Sequence, residues 1–350
     1  MITNIRLQNF RSYKDASFEF EDGVNVIVGP NACGKTNLLE AILVVSQGKS
    51  YRAKDAELIR SGAEWARIDA DIVSRHRTIK LERTEALIKK TFDIDSQAFS
   101  RLSVQRQIPT VLFEPNQLQL ITTSPEQRRN FIDNLLEQVN PEFAQSKRRY
   151  LRTLAQRNAL LKNESKTNLN QLFVWDIRLS ELAGEIVAWR QELISVFNQD
   201  ASLTYSAIAG KKHQLNLSYA SKINTNNYAS SLLKKLEQDA DLDRLRSFTG
   251  AGPHRDDIQI HIDNKPIQNS ASRGETRTLL LALKIKEAQI LEEKRHEKPL
   301  LLLDDVFGEL DGHRRHTLTD FLKAYQVFIT TTDADLIVKN FTKTAKVITF

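Results

Sequence analysis

Eight consecutive residues carry the strongest chemical signal in this 350-residue chain: Gly29, Pro30, Asn31, Ala32, Cys33, Gly34, Lys35 and Thr36. They fit G-x-x-x-x-G-K-[ST], the spacing of a phosphate-binding P-loop. Its glycines let the main chain wrap closely, so that N–H groups point at phosphate oxygens, and a helix opening at the loop adds the positive end of its dipole. In that geometry Lys35 reaches the β- and γ-phosphates and Thr36 ligates Mg²⁺, with Asn37 extending the nucleotide contacts. An acidic pair, Asp304-Asp305, follows the apolar run Leu300-Leu301-Leu302-Leu303. A carboxylate at the end of a buried strand is placed to hold Mg²⁺ directly or through water, which assigns the metal to Thr36 and Asp304. Asp305 is then expected beside the attacking water. ATP and Mg²⁺ are the expected ligands, and Lys35 and Asp305 the expected catalytic groups.

The elements that must position these residues are legible nearby. Val24-Asn25-Val26-Ile27-Val28 reads as a buried strand that runs into the loop. Residues 35–47 read as a helix, with Leu38, Leu39, Ile42 and Leu43 on one face and Gly48 as its C-cap. Upstream, Ile5 and Leu7, then Phe18 and Phe20, alternate with polar neighbours as in strands, and short strands are expected through 65–115. Ser124-Pro125-Glu126-Gln127 is a helix start, with Ser as N-cap, Pro at N1 and Gln at N3. From there to about 245 the pattern is mostly helical and polar, with a break at 163–170 and a β-like run at 215–219. Strand signals return at 258–262, with Asp263-Asn264 as a turn. A helix over 275–293, a strand over 300–303, a helix near 314–323 and a strand over 327–330 complete the chain. Repeats, low-complexity tracts and sustained heptads are absent from the sequence. The helical middle is therefore expected to be an inserted lobe over 121–245, not a coiled-coil arm, and the nucleotide core to comprise 1–120 and 246–350.

Composition narrows the function classes. Hydrophobic residues make up 41% and charged residues 27%, a soluble globular balance. No window holds the ~20 apolar residues of a membrane helix. The N-terminus lacks the shape of a signal peptide, so no membrane partner and a cytoplasmic location are expected. The single cysteine, Cys33, excludes an intramolecular disulfide and a cysteine-based zinc site. A formal charge of +6 fits a polyanionic partner, while three Trp and seven Tyr give little sign of an extended base-stacking platform.

Thr36 and Asp304 lie 268 residues apart, far more than compact P-loop kinases or GTPases need. A nucleotide core split by a large insert points to ABC- and SMC-like heads. Such heads use a Ser and a Gly at a helix N-terminus to grip the γ-phosphate bound to an opposite subunit. Ser272-Arg273-Gly274-Glu275 has that form and precedes the Asp304 strand, although Ser-x-Gly-Glu alone is equally a plain helix cap. Glu309-Leu310-Asp311 would complete the pattern as a D-loop across a dimer interface.

At this point the resemblance becomes specific: the chain resembles the RecF family of bacterial recombination-repair ATPases almost end to end. The segments that carry it are Leu7-Gln8-Asn9-Phe10-Arg11-Ser12-Tyr13, the P-loop continued as Thr36-Asn37-Leu38-Leu39-Glu40-Ala41, and Ser50-Tyr51-Arg52. Ser124-Pro125-Glu126-Gln127-Arg128-Arg129, Gly252-Pro253-His254-Arg255-Asp256-Asp257 and Leu303-Asp304-Asp305-Val306-Phe307-Gly308-Glu309-Leu310-Asp311 extend it. The resemblance implies an α/β P-loop head with a mixed sheet, flanking helices and an inserted, mainly helical second lobe. It implies an ATP-dependent homodimer that binds DNA at gaps or single-strand/double-strand junctions, and work beside RecR and RecO to load a recombinase. Three departures stand out. Ala32 replaces a usual glycine, so a stiffer loop is expected. Asp305 stands where ABC heads at large carry Glu, so slow turnover is expected. Thr330-Thr331-Thr332-Asp333 stands where transporters place a switch His. Gln117 and Asn116 are both candidates for a Q-loop residue, and Arg11 lies either near the phosphates or at a strand edge. His254 and Arg255 are expected either at the nucleotide or tying the lobes together.

Residues 146–162 contain Lys147, Arg148, Arg149, Arg152, Arg157 and Lys162 and no acid. Arg148 and Arg152 share a helix face, with Leu151, Leu154 and Leu161 expected on the packed side. Arg148, Arg149 and Arg152 are the candidate DNA contacts, against the plainer reading of a solvated face. Rival functions are an ABC transporter ATPase subunit, a DNA-binding module with vestigial hydrolysis, and a nuclease-linked ATPase, for which no domain is expected past Phe350.

Overall fold

The computed structural model describes every residue except 74, 86, 115, 116, 118–123, 163–168, 268–271, 308, 309 and 334–344, and the side chains of 169 and 170. In chain order the strands are β1 Ile2–Phe10, β2 Tyr13–Glu19, β3 Val24–Val28, β4 Trp65–Ile72, β5 Arg75–Arg83, β6 Ile88–Ile94, β7 Gln97–Phe99 and β8 Thr110–Phe113. They continue as β9 Leu215–Ala220, β10 Asp257–Ile262, β11 Lys265–Pro266, β12 Leu300–Asp304, β13 Val327–Thr331 and β14 Lys346–Thr349. The helices are α1 Lys35–Gln47, α2 Asp55–Leu58, α3 Pro125–Val139, α4 Pro141–Lys162 and α5 Leu169–Asn198. After them come α6 Ala201–Ala209, α7 Tyr228–Gln238, α8 Ala240–Arg246, α9 Arg273–Arg295 and α10 Gly312–Leu322.

Two compact units divide the chain: Met1–Gln117 with Arg277–Phe350, and Leu118–Thr276. In the first, the mixed strand directions are sorted into two sheets. One is antiparallel, in the order β2-β1-β4-β5-β6-β7, and the other parallel, in the order β14-β3-β13-β12-β8. Alternation drives the antiparallel sheet: Ala66, Ile68 and Ala70 on β4 and Ile79 and Leu81 on β5 are buried. On β1 a register shift between Ile2 and Asn4 lets Ile2 join Ile5 and Leu7 in the core. The centre of the parallel sheet is covered on both faces, and β12 accordingly carries an unbroken apolar run: Leu300 to Leu303 are at most 2% exposed.

Helix α1 touches β1, β4 and β5 of one sheet and β8, β12 and β13 of the other. Its expected one-sided apolar stripe is therefore too narrow: Ala41, Val44 and Val45 are buried as well as Leu38, Leu39 and Ile42. The helix ends where Gly48, at φ 74, donates its N–H to Val44 O.

The second unit contains α3 to α8 and the antiparallel sheet β11-β10-β9. Ser124 caps α3, its side chain accepting from the Gln127 N–H. Asp263 and Asn264, at φ 48 and 63, turn β10 into β11 as the sequence suggests. The core's second segment was expected from 246, but the division falls at Arg277, within the first turn of α9. The physical reason is that β10 pairs with β9 along Asp257–Ile262, so this strand belongs with the inserted unit.

Candidate nucleotide and metal site

Strands β3, β13 and β12 lie side by side and parallel, so the loop after β3 and the acids after β12 leave the same sheet edge. Carboxyl ends of parallel strands are where such sheets bind ligands. The loop 29–34 is tightly built. A Cβ on Gly34, at φ 118, would stand 2.9 Å from the Tyr13 hydroxyl, which donates to Gly34 O at 3.0 Å. A Cβ on Gly29 would meet Cys33 Sγ at 2.7 Å. Ala32 adopts φ 66, a left-handed conformation that costs an L-residue about 1–2 kcal/mol. The stiffness expected from alanine at a glycine position thus takes the form of backbone strain. Lys35 Nζ donates to Gly29 O at 2.7 Å and to Pro30 O at 2.9 Å, holding the loop curled around the ammonium.

The second half of the site is a hydroxyl–carboxylate cluster. Thr36 Oγ1 donates to Asp304 Oδ1 at 3.0 Å, and Thr330 Oγ1 donates to the same oxygen at 2.7 Å. Thr330 Oγ1 also accepts the Asp305 N–H at 3.0 Å. Thr330 is fully buried on the strand between β3 and β12, so its one hydroxyl orients both acids. Asp305, at φ 56, is exposed at the cleft. Asn31, Ala32, Gly34, Lys35, Thr36 and Asn37 line a cleft of about 230 Å³ with Arg52, Asp304 and Asp305. The donor set fits Mg²⁺: Thr36 and Asp304 offer hard oxygens at hydrogen-bond separation, placed to share one ion. Among the described residues no group of three or more His, Cys, Asp or Glu gathers to hold a metal. That accords with an ion that takes its other ligands from phosphate and water.

Four placements go beyond the sequence reading. Arg11 does not line the cleft: its guanidinium forms a bidentate pair with Glu40, at 2.8 and 2.9 Å, and donates to Glu57 O. Arg52, quoted only as part of a resembling segment, does line it, donating to Asn37 Oδ1 at 2.7 Å and to Glu40 Oε2 at 3.1 Å. Burial alone would push the Glu40 carboxyl up, but hydrogen bonds from Arg11, Arg52 and Ser50 outweigh it and hold the group below its ordinary range. Glu114 follows the Leu303–Phe113 pair, and burial, reinforced by Asp304, pushes its carboxyl up against the opposing influence of Lys284. Gln117 folds back onto Leu112 O at 3.2 Å and is not among the lining residues, while Asn116 lies outside the described residues.

The signature segment opens α9 as a capping box. Ser272 Oγ accepts the Glu275 N–H at 3.2 Å and Glu275 Oε2 accepts the Ser272 N–H at 2.8 Å, with Arg273 exposed and Gly274 half-buried. Asp311 caps α10, its side chain accepting the Arg314 N–H at 3.0 Å; Gly308 and Glu309 lie outside the described residues. Arg148, Arg149 and Arg152 are exposed on α4. Leu161 is packed as expected, at 5% exposed, but Leu151 is not, and two of the basic residues are engaged within the fold. Leu151 is 50% exposed, Lys147 pairs with Asp133 and Glu137, and Arg157 is fully buried between Asp176 and Asp243. His254 is internal to the second unit, bonded to the Tyr150 hydroxyl at 2.6 Å and to Thr249 O at 3.2 Å; burial pushes it down to about 4.

A family model described as the RecF/RecN/SMC N terminal domain matches residues 1–349. The DNA replication and repair protein RecF of Acetivibrio thermocellus is 33% identical over 346 residues, covering 96% of this chain and 94% of the relative. The protein of the same name from Exiguobacterium sp. is 35% identical over 357 residues, covering 99% and 96%. This chain belongs to the RecF family. A solved structure of the recombination mediator protein RecF with ATP, in the RecFOR pathway, superposes with a TM-score of 0.86 at 30% identity, covering 95% of this chain and 92% of that one. An Smc head bound to the C-winged helix domain of ScpA reaches 0.55 at 17% identity over 97% and 91%, a likeness of fold alone. RecF membership sets the transporter reading aside.

Proposed function

We propose that this RecF-family chain is an ATPase of DNA replication and repair that uses ATP to close a homodimer on DNA at single-strand gaps or junctions. The observation that carries the reading is the Thr36–Asp304–Thr330 cluster, which ties the P-loop to the acids 268 residues away and leaves Asp305 facing the cleft. Thr36 and Asp304 hold Mg²⁺ when it is bound, and the ion supplies charge neutralisation at the β- and γ-phosphate oxygens. Lys35 exchanges a loop carbonyl for a phosphate oxygen, and Arg52 and the loop N–H groups clamp the polyphosphate. Asp305 orients the attacking water. Its short side chain, reaching from a left-handed backbone, makes for slow turnover suited to a timer.

Ser272 and Gly274 of a second subunit complete the site over the γ-phosphate, and Asp311 contributes near that interface. The exposed Arg148, Arg149 and Arg152 supply phosphate contacts to duplex DNA. The protein works beside RecR and RecO in loading a recombinase, after which hydrolysis releases the DNA. This is supported by near-full-length similarity to proteins named for DNA replication and repair and to a mediator solved with ATP.

Binding to a gapped duplex at fixed salt, with and without ATP, tests the reading. ATP is expected to strengthen wild-type binding, Lys35→Met to lose that response, and Arg148→Glu with Arg149→Glu and Arg152→Glu to weaken binding and flatten its salt dependence. Binding that ignores ATP in the wild type would instead favour a DNA-binding module with vestigial hydrolysis.

A further inference from the structure

The first unit holds a second, larger cavity of about 530 Å³, lined by residues of β5, β6 and β7 and by the segment before β8. Its strands belong to the antiparallel sheet, whereas the P-loop follows β3 of the parallel one; its wall also includes Ile108, just before β8 begins, and Glu297, just before β12 begins. Three guanidinium groups, Arg75, Arg77 and Arg106, share this wall with the carboxylates Asp95 and Glu297.

Arg77 is the unusual member. It is 6% exposed, and its hydrogen bonds go to two main-chain carbonyls, Val45 O and Arg106 O, both at 2.6 Å. Its Nε is buried without a partner, and among the described residues no carboxylate forms an ion pair with it. The other deeply buried guanidinium groups, Arg128, Arg157 and Arg190, are each paired with an aspartate at 2.5 to 2.9 Å. A buried cation left without a counter-charge is costly, and proteins normally pair it. The cost is visible in the group itself: burial, with Arg75 adding to it, pushes Arg77 down to about 10, against the weaker opposing influence of Glu297 and Asp95. Glu297 and Asp95 influence Arg77 without forming an ion pair with it, so a buried cation lines the cavity with no counter-charge bonded to it.

We infer that this cavity is an anion site, built for the phosphate group of a small ligand, with Arg77 as its buried donor and Arg75 and Arg106 as its outer ones. Guanidinium groups presenting several N–H donors suit a tetrahedral oxyanion. Arg106 lies over the Phe99 ring, 3.9 Å from its centroid, which fixes the guanidinium plane at the rim. The volume exceeds that of one phosphate and leaves room for the body of the ligand.

Calorimetric titration of inorganic phosphate into Lys35→Met protein, in which the P-loop is disabled, tests the inference. One saturable site is expected, weakened about tenfold or more by Arg75→Gln, a surface change that leaves the core intact, and by Arg77→Met. Arg77→Met also removes the donor to Val45 O and Arg106 O, so Arg75→Gln carries the test on its own should that variant fail to fold. Competition by a short oligonucleotide that depends on Arg75 would identify a nucleic-acid phosphate as the source of the same group. Absence of a saturable site, or binding indifferent to Arg75→Gln and Arg77→Met, overturns the inference.

Discussion

At the scale of single residues, the P-loop and its acids were readable because their chemistry fixes both residue type and spacing. In the structure Lys35 is held by Gly29 O and Pro30 O, and Thr36 meets Asp304 across 268 residues of sequence. Thr330 was not readable as a ligand-orienting group. A threonine at a strand end is ordinary in sequence, and only the order β3-β13-β12 places its hydroxyl between the P-loop and Asp304. Arg11 and Arg52 were misweighted for a related reason: sequence gives no means of seeing which arginine a buried glutamate will capture, and Glu40 takes Arg11 bidentately while leaving Arg52 at the cleft. The role of Thr330 has a direct consequence. Thr330→Val keeps the shape but removes the donor to Asp304 and the acceptor for the Asp305 N–H. ATP turnover is expected to fall about 10- to 100-fold with a raised Mg²⁺ requirement, as when groups that orient metal ligands are lost. A variant with unchanged turnover and Mg²⁺ dependence would remove Thr330 from the site.

At the scale of elements, Glu40 on α1 fastens two further pieces of chain: Arg11 after β1, and Ser50 with Arg52 between α1 and α2. This clamp holds the cleft-lining Arg52 in place. Because the folded carboxyl sits below its ordinary 4.5, its contribution is fully present above that value and is lost as pH falls through the folded value. Stability is therefore expected to drop on acidification below about pH 4.5. Glu40→Gln should cost about 3 kcal/mol at neutral pH, because two guanidinium groups lose a fully buried partner. The variant should also show a shallower acid limb in denaturant titrations across pH. An unchanged acid limb would mean the clamp carries little of the fold's pH dependence. Elements whose pattern depends on local sequence, such as β12, α10 and the capped start of α3, were legible in advance. What was not legible was the partner of each face: α1 is covered on two sides, and β10 joins β9 outside the core, facts set by tertiary pairing and not by periodicity.

At the scale of the molecule, the account rests on one claim: each ATP site is finished by a second subunit. Lys35, Thr36, Asp304 and Asp305 lie in the first unit, whereas Ser272 and Gly274 open α9 in the second. Their capping box with Glu275 keeps that helix start ordered, with Ser272 and Arg273 exposed. On the proposed reading, activity is a property of pairs and is coupled to whatever brings two subunits together, DNA included. The most direct measurement is the ATPase rate per subunit as protein concentration rises, with and without gapped duplex DNA, for wild type and for Ser272→Arg. The account predicts a specific rate that climbs with concentration and is raised by DNA, and a flat, low rate for Ser272→Arg despite normal ATP binding. A wild-type rate independent of concentration and of DNA, matched by Ser272→Arg, would contradict it.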